Sequence, residues 1–405
     1  MALIVQKYGG SSVADAERIK NVAHRVAKAK EEGNQVVVAI SAMGDTTDEL
    51  IQMAHQVSAQ PEQRELDVLL STGEVISSTL LAMALGHLGY KAVSLSGAQA
   101  GIQTDSNYSR ARILRVDPKR IINELERGNI VIVAGFQGIT PNMDITTLGR
   151  GGSDTTAVAL AASLNADVCQ IYTNVEGVYT ADPRLVLEAS KLDKIGYEEM
   201  LEMASYGAKV IHPRAVELGE LYNMPILVAS SFSDSPGTII CKEASMEVRN
   251  KVRGIAHDTN VAKITLVGVP DHPGVATAIF EPLAKATISV DTIVQNASIK
   301  NITDLTFTVA RNDLNTAISI VEPVVKSVGG KQCVTDSTLA KVSIIGSGMQ
   351  NTPGYAARMF HALWAQGINI QLITTSDIRI TCIISEDRVK DAVRVLHKAF
   401  ELEIA

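Results

Sequence analysis

The sequence predicts an α/β protein: a mostly parallel sheet sandwiched by helices, followed by two copies of a smaller α+β unit. Three observations carry this. Continuously apolar runs of strand length alternate with helical patterns up to about residue 230. Glycine, serine and threonine cluster just after those runs, at the sheet edge where open α/β sheets bind ligands. Beyond residue 260 a stretch of sequence recurs in register.

Residues 2–6 form the first apolar run and lead into Lys7-Tyr8-Gly9-Gly10-Ser11-Ser12. Val13, Ala16, Ile19, Val22, Ala23, Val26 and Ala27 then share one helical face. Residues 35–40 are a second buried strand, ending at Ser41-Ala42-Met43-Gly44-Asp45-Thr46-Thr47, with a helix expected from Asp48. Residues 65–85 read as helix and contain Glu74. Strands are expected at 91–95, 130–134, 168–172 and 226–229, and helices at 198–205 and 208–221. Between the fourth and fifth strands, Gly149-Arg150-Gly151-Gly152-Ser153-Asp154 runs straight into an apolar helical pattern. Ser153 or Gly152 is expected to cap that helix, with Asp154 in its first turn. Such a helix start offers free N–H groups and partial positive charge to an anion, and Arg150 adds a fork suited to carboxylate or phosphate.

Composition narrows the class. The net charge of −7 argues against a general nucleic-acid surface. No apolar stretch is expected to reach membrane-spanning length, and no secretory signal opens the chain. Cys169, Cys241, Cys333 and Cys382 form no Cys-x-x-Cys pair, which suggests buried free thiols in a reducing compartment, the cytoplasm. The Walker-type phosphate loop, Gly-x-Gly-x-x-Gly, His-Glu-x-x-His and protein-kinase motifs are absent, and the histidines are scattered. Glycine turns, a few cations and hydroxyl residues at strand ends remain, and these suit anion binding and phosphoryl transfer by positioning.

Residues 262–268 (AKITLVG) recur as 340–346 (AKVSIIG), Pro273-Gly274 recurs as Pro353-Gly354, and Ile288-Ser289-Val290 as Ile368-Asn369-Ile370. Each copy reads strand, helix, strand, hairpin, strand, helix, strand. The expected divisions are a first domain at 1–240, a linker at 241–260, and repeat units at 261–336 and 337–405, with the chain's last strand a candidate to complete the first unit.

Lys7-Tyr8-Gly9-Gly10-Ser11-Ser12, Ser41-Ala42-Met43-Gly44, the Thr147–Asp154 turn and Val178-Tyr179-Thr180-Ala181-Asp182-Pro183 together resemble aspartate kinase, within the amino-acid kinase family. The repeat resembles paired ferredoxin-like ACT domains. The resemblance implies ATP-dependent, Mg²⁺-assisted phosphorylation of the aspartate side chain, the metal arriving on the ATP phosphates. It assigns Lys7, Asp154 and Lys209 to catalysis. Ser41, Thr47, Glu74, Arg150, Gly151, Gly152 and Ser153 fall to aspartate, with Arg150 on its α-carboxylate and Glu74 on its ammonium. Lys7, Tyr8, Gly9, Gly10, Ser11 and Lys209 would meet the ATP phosphates. Tyr172, Thr173 and Val178 through Tyr179, Thr180, Ala181, Asp182 and Pro183 would hold the nucleoside. Taken singly, Glu74 and Lys209 also fit ordinary solvated helix charges. No histidine base is required, because a carboxylate is ionised at neutral pH.

For the repeat, the resemblance implies an effector, lysine, threonine or both. The matching positions are Asp271, Pro273, Gly274, Val275, Ala276, Asp291, Gln295 and Asn296 in the first copy and Asn369, Ile370, Ser376 and Asp377 in the second. It also implies a homo-oligomer, or an assembly with a short chain starting at Met246, as in relatives built from long and short forms. A kinase for glutamate or acetylglutamate, and a non-catalytic amino-acid sensor, are the competing readings.

Overall fold

All six apolar runs pair in parallel in the computed structural model, which describes residues 2–242, 252–296, 298, 301–350 and 352–404. The strands are β1 (Leu3–Tyr8), β2 (Gln35–Ile40), β3 (Ala92–Leu95), β4 (Ile102–Thr104), β5 (Ile113–Val116), β6 (Ile130–Ala134), β7 (Gln137–Ile139), β8 (Ile145–Thr147), β9 (Val168–Thr173), β10 (Lys194–Ile195), β11 (Ile226–Ser230) and β12 (Thr238–Ile240). The main sheet runs β10-β12-β11-β9-β1-β2-β6-β3. Its centre is β1, flanked by β2 (Tyr8 beside Ile40) and β9 (Tyr8 beside Tyr172). The chain leaves β1 toward β2 and returns later on its other side at β9, so the order reverses there. That crevice is where an open sheet presents its site.

Helices α1 (Ala16–Glu31), α2 (Thr46–Val57), α3 (Gln63–His87), α4 (Lys119–Glu126), α5 (Gly152–Leu164), α6 (Tyr197–Ser205) and α7 (Pro213–Leu221) complete this unit. The predicted stripe of α1 is the face that packs, with Ile19, Val22, Ala23, Val26 and Ala27 buried on Ile4, Val36 and Val38. Helix α5 packs on β1, β2 and β9 and is buried nearly all round, as its uninterrupted apolar sequence requires.

Several expectations need correction. The helix predicted at 208–221 begins only at Pro213, because that proline takes the first helical position and His212 caps it, leaving 206–212 as turn. A second sheet, β5-β4-β7-β8, was not anticipated, since its strands have only three or four residues. Helix α3 is long and apolar enough, by length and composition alone, to cross a membrane, contrary to expectation. Its buried Asp67, Ser71, Glu74, Ser77 and Ser78 instead mark one side as part of a polar site.

The chain divides into two units, 1–179 with 191–246 and 180–190 with 247–405. The first domain is therefore not continuous over 1–240. Ala181 and Val186 lie in the core of the second unit, and Thr180 Oγ1 and His397 Nε2 are 2.9 Å apart there. Met246, with the rest of residues 243–251 of the predicted linker, lies outside the described residues.

The second unit is built from β13 (Gly254–Pro270), α8 (Val275–Lys285), β14 (Val290–Gln295), β15 (Ile302–Val309), α9 (Leu314–Ser327), β16 (Gln332–Ile345), α10 (Tyr355–Ala365), β17 (Leu372–Ser376), β18 (Arg379–Ser385) and α11 (Val389–Ala399). Its sheet, β14-β15-β13-β16-β18-β17, is antiparallel throughout. The repeat is present as predicted, but the division at 336/337 cuts through β16, and the last seven residues of the predicted linker, 254–260, are already strand β13. Residues 254–258 of β13 pair with 341–345 of β16, and 261–267 pair with 332–339. Each long strand thus serves both copies. The strand that completes the second copy comes from before the first, and among the described residues the segment after α11 supplies no strand to either. An unpaired edge at 341–345 would be costly, and the start of β13 covers it.

Candidate active site

Lys7 is the penultimate residue of β1 and Asp154 lies in the first turn of α5. Parallel packing of α5 on β1 brings them together: Lys7 Nζ is 2.6 Å from Asp154 Oδ1, and both are buried. The second oxygen, Asp154 Oδ2, accepts the His212 backbone N–H at 3.2 Å. The ammonium lies beneath the glycine turn, since a Cβ on Gly9 would come 3.4 Å from Lys7 Nζ. Gly10 packs on the turn after β2, where a Cβ would meet the carbonyl oxygens of Ala42 and Gly44 at 3.0 and 3.1 Å.

Helix α5 starts differently from expectation. Gly151, at φ +68°, is the N-cap, and no side chain caps the helix. The first helical hydrogen bond runs from Thr155 N to Gly151 O, so the N–H groups of Ser153 and Asp154 precede the ladder and point out of the helix end. Ser153 Oγ instead accepts from Ser41 Oγ at 2.9 Å, tying the turn to the end of β2.

Ser41, Thr47, Glu74, Arg150, Gly151, Gly152 and Ser153 line one cavity of about 1450 Å³, together with Gly10. Glu74 Oε1 accepts the Ala42 N–H at 3.1 Å, while Oε2 is buried without a hydrogen-bond partner among the described residues. Burial pushes this carboxyl up to about 7, against the smaller opposing effect of the backbone hydrogen bonds. A buried carboxylate with a free oxygen beside a cavity is suited to a ligand cation.

Other predicted residues lie elsewhere. Lys209 is exposed in the turn ahead of α7 and does not line the cavity. The rings of Tyr8 and Tyr172 stack on each other in the core, centroids 5.0 Å apart, with Arg25 on Tyr172. Neither ring is presented to a base, so only their backbone remains for a nucleotide. Ser11 is exposed, Thr173 half-buried at the end of β9, and Val178 and Tyr179 belong to the first unit. Thr180, Ala181, Asp182 and Pro183 belong to the second. Sequence reasoning missed Arg112, Arg214 and His212, which line the cavity, and Asp67, which supports it. Desolvation lowers the pKa of His212, and its Nδ1 accepts the Arg214 N–H, which keeps the ring proton on Nε2. The His-Pro pair ahead of α7 was the signal available for His212.

In the second unit the glycines of the repeat are equivalent. Gly274 and Gly354 are left-handed N-caps at φ +98° and +107°, each opening a helix at the first residue after it, Val275 and Tyr355. Gln295 Nε2 donates to Asp271 at 3.3 Å. Asp291 accepts from Thr308 Oγ1 and pairs with Lys341. Asn296 N donates to Asp304 O, and Asp377 accepts from Gln350 at 3.5 Å. Pro273, Ala276, Asn369, Ile370 and Ser376 flank these groups along the chain.

A mostly parallel sheet with a lysine–aspartate pair and a glycine-capped helix at its switch point has the equipment for phosphoryl transfer by positioning. The model of the amino acid kinase family matches residues 2–230, and that of the ACT domain matches 264–323 and 342–400. An aspartate kinase of Stutzerimonas stutzeri is 52% identical over 405 residues, covering 100% of this chain and 98% of the relative. A crystal structure of E. coli aspartokinase III, described as a complex with aspartate and ADP in the R-state, matches at TM-score 0.80 and 25% identity, covering 98% of this chain and 99% of that one. An aspartate kinase from Synechocystis matches at TM-score 0.56 and 43% identity, covering 99% of this chain and 70% of that one. The chain belongs to the amino acid kinase family, with tandem ACT domains. Within that family the enzyme is an aspartate kinase.

Proposed function

We propose that this enzyme transfers the γ-phosphoryl group of Mg-ATP to the side-chain carboxylate of L-aspartate, giving 4-phospho-L-aspartate and ADP. One observation carries the reading: the buried Lys7–Asp154 pair sits where α5 begins, beside a cavity lined by Ser41, Thr47, Glu74 and Arg150. A side-chain carboxylate oxygen attacks the γ-phosphorus as the bond to the β,γ-bridging oxygen breaks, and that oxygen leaves on ADP. No proton moves. The barrier is repulsion between two anions, and fixed positive charge lowers it. Lys7 neutralises charge on the transferred group. Asp154 holds that ammonium in place and the Gly9-Gly10-Ser11 turn supplies backbone donors. Arg150 takes the α-carboxylate, Glu74 the α-ammonium, and Ser41, Thr47 and the Gly151–Ser153 helix start complete the pocket. Lys209, exposed in the turn ahead of α7, is the second cation offered to the phosphates. Tyr172, Thr173 and the 178–183 segment hold the nucleoside.

Mg²⁺ neutralises phosphate charge when it arrives with the nucleotide. Asp154 Oδ1 is ion-paired with Lys7 and Oδ2 accepts from His212 N, so this carboxylate holds the ammonium in place beside the phosphates. Among the described residues, no group of three or more His, Cys, Asp or Glu could hold a metal ion. The bound aspartate and ADP of the E. coli neighbour support the same substrates here.

The reaction is the first step toward lysine, threonine and methionine, in the cytoplasm, with lysine, threonine or both acting as feedback inhibitors on the ACT copies. The chain works as a homo-oligomer, and a shorter chain starting at Met246 would contain both copies. Inhibition requires the effector to bind the inactive arrangement more tightly than the active one.

The deciding experiment offers ATP with aspartate, glutamate and acetylglutamate, and follows phosphoryl transfer with Lys7→Ala as control. Transfer to aspartate alone is expected. Transfer to glutamate in preference would refute the substrate assignment, and no transfer to any would leave an amino-acid sensor.

A further inference from the structure

We infer that Asp67 and Arg214 are positioning residues that clamp the aspartate-binding turn from opposite sides. The inference rests on the reading that Arg150 holds the α-carboxylate. Asp67 lies in α3, is fully buried, and has no cation within ion-pair distance among the described residues. Such a charge is tolerated only where hydrogen bonds replace its water. Here its carboxylate accepts from two separate chain segments. From the first, Ser109 N donates to both carboxylate oxygens, at 3.0 and 2.8 Å, while the Ser109 hydroxyl lies 3.1 Å from Asp67 and closer, at 2.6 Å, to Gln63 Oε1. From the second, Thr147 N and Thr147 Oγ1 each donate at 2.8 Å. The guanidinium of Arg214 does the converse for the same two segments. It donates to Leu148 O at 2.7 Å and to Ala111 O at 3.1 Å.

The two segments are also joined directly, Ala111 N to Thr147 O at 2.9 Å. The clamp thus takes the donors of 109 and 147 on one side and the acceptors of 111 and 148 on the other. Just past it comes Gly149-Arg150. The backbone there is demanding: Ser109 sits at φ +65° and Gly149 at φ +74°, and a Cβ on Gly149 would come 2.9 Å from Ser109 O. A non-glycine residue in the left-handed region persists only where its surroundings enforce it, and Ser109 is held through its N–H by Asp67 and through its hydroxyl by Gln63, one turn earlier on α3. Neither Asp67 nor Arg214 need touch the reacting atoms. Their effect is to fix where the Arg150 guanidinium meets the substrate, and small misplacements of such groups are costly.

The test is steady-state kinetics of the full chain for Asp67→Ala, Asp67→Asn, Thr147→Val and Arg150→Ala, with Asp67→Ala also placed on the Arg150→Ala background. Asp67→Ala is expected to raise KM for aspartate about tenfold and to leave KM for ATP within about twofold. Asp67→Asn should be milder, because the Ser109 and Thr147 hydroxyls can turn to accept from its amide. Thr147→Val, which removes one donor, should give about a two- to threefold rise. On the Arg150→Ala background, Asp67→Ala should add less than about twofold, the signature of two residues acting as one. If Asp67→Ala fails to fold, Asp67→Asn and Thr147→Val carry the same comparison. Equal changes in both KM values, or a lowered melting temperature with an unchanged KM for aspartate, would overturn the inference alone. An unchanged KM for aspartate in Arg150→Ala would overturn both the Arg150 assignment and the inference built on it.

Discussion

Helix α5 and the helices α8 and α10 start in the same way and are packed in opposite ways. Each begins on a left-handed glycine, Gly151, Gly274 or Gly354, with no side-chain cap, so each presents bare N–H groups. Around Gly151 there is no room: a Cβ would fall 2.1 to 2.4 Å from the His212 ring and side chain, and one on the next residue, Gly152, 2.8 Å from the Phe136 ring. A Cβ on Gly274 or Gly354 would meet nothing within 4 Å among the described residues. The charged partners differ too. Lys7 and Asp154 are buried beside α5, whereas Asp271 and Asp377 are exposed and held by long, weak contacts from glutamine side chains. Under the proposed function, the contrast separates two uses of one device. Phosphoryl transfer needs charges fixed before the substrate arrives. A sensor needs donors that a ligand can reach and reorganise.

The largest effect that would break this contrast is at Lys7. Removing its ammonium should lower kcat by ~10²–10³, the range for loss of one preset transition-state donor. Stopped-flow or coupled ADP assays would show this, and a tenfold or smaller loss would mean that charge at β1 is not preset as argued.

Next comes Gly151→Ala. It must displace His212 and hold a left-handed backbone, so kcat should fall at least about tenfold. Full activity would show that the packing around α5 is incidental.

The third test sharpens the electrostatic side. Glu74 must be ionised to hold an ammonium, and its pKa stands near 7 in the unliganded enzyme against an ordinary 4.5. Below that, affinity for aspartate should fall about tenfold per pH unit, and Glu74→Gln should flatten the profile while raising KM throughout. The sign for stability is the reverse of a salt-bridged acid. The folded state holds this proton more tightly than the unfolded chain, so the group's contribution is full below about pH 4.5 and declines as pH rises to about 7. Thermal melts of wild type and Glu74→Gln across that range would check it.

The smallest effects belong to the open helix starts. Gly274→Ala or Gly354→Ala meets no atom and strains only φ, so each should cost about 1 kcal/mol in denaturant unfolding. Uninhibited kcat should stay unchanged, while the lysine or threonine concentration for half inhibition shifts. Unaltered inhibition in both variants would place the effector away from these helices. They are a cleaner probe than truncation after 246, which would strip Ala181 and Val186 of the core they pack in.

Much of this was legible along the chain. Six apolar runs announced six parallel strands, because a strand buried on both faces has no polar positions to interrupt it. The repeat announced two like units. Of the cavity residues, Ser41, Thr47 and Arg150 stood in turns at strand and helix ends, whereas Glu74 lies in the middle of α3 and was singled out only by the resemblance. The short strands β4, β5, β7 and β8 left too few residues for a pattern to show. Residues 332–345 read as two strands of two units and are one strand shared by both.

By itself, the order of residues determined which segments are strands and helices and which turns are rich in glycine, since those depend on local periodicity and backbone freedom. Only the tertiary structure decided which charges are buried and by what they are held. Lys7 meets Asp154 across 147 positions, and Asp67 meets Thr147 across 80, because helix α5 and strand β8 fold back onto elements formed far earlier. Burial, and with it the raised pKa of Glu74, belongs to the packed molecule, because desolvation depends on every neighbour in space and leaves no mark on spacing along the chain.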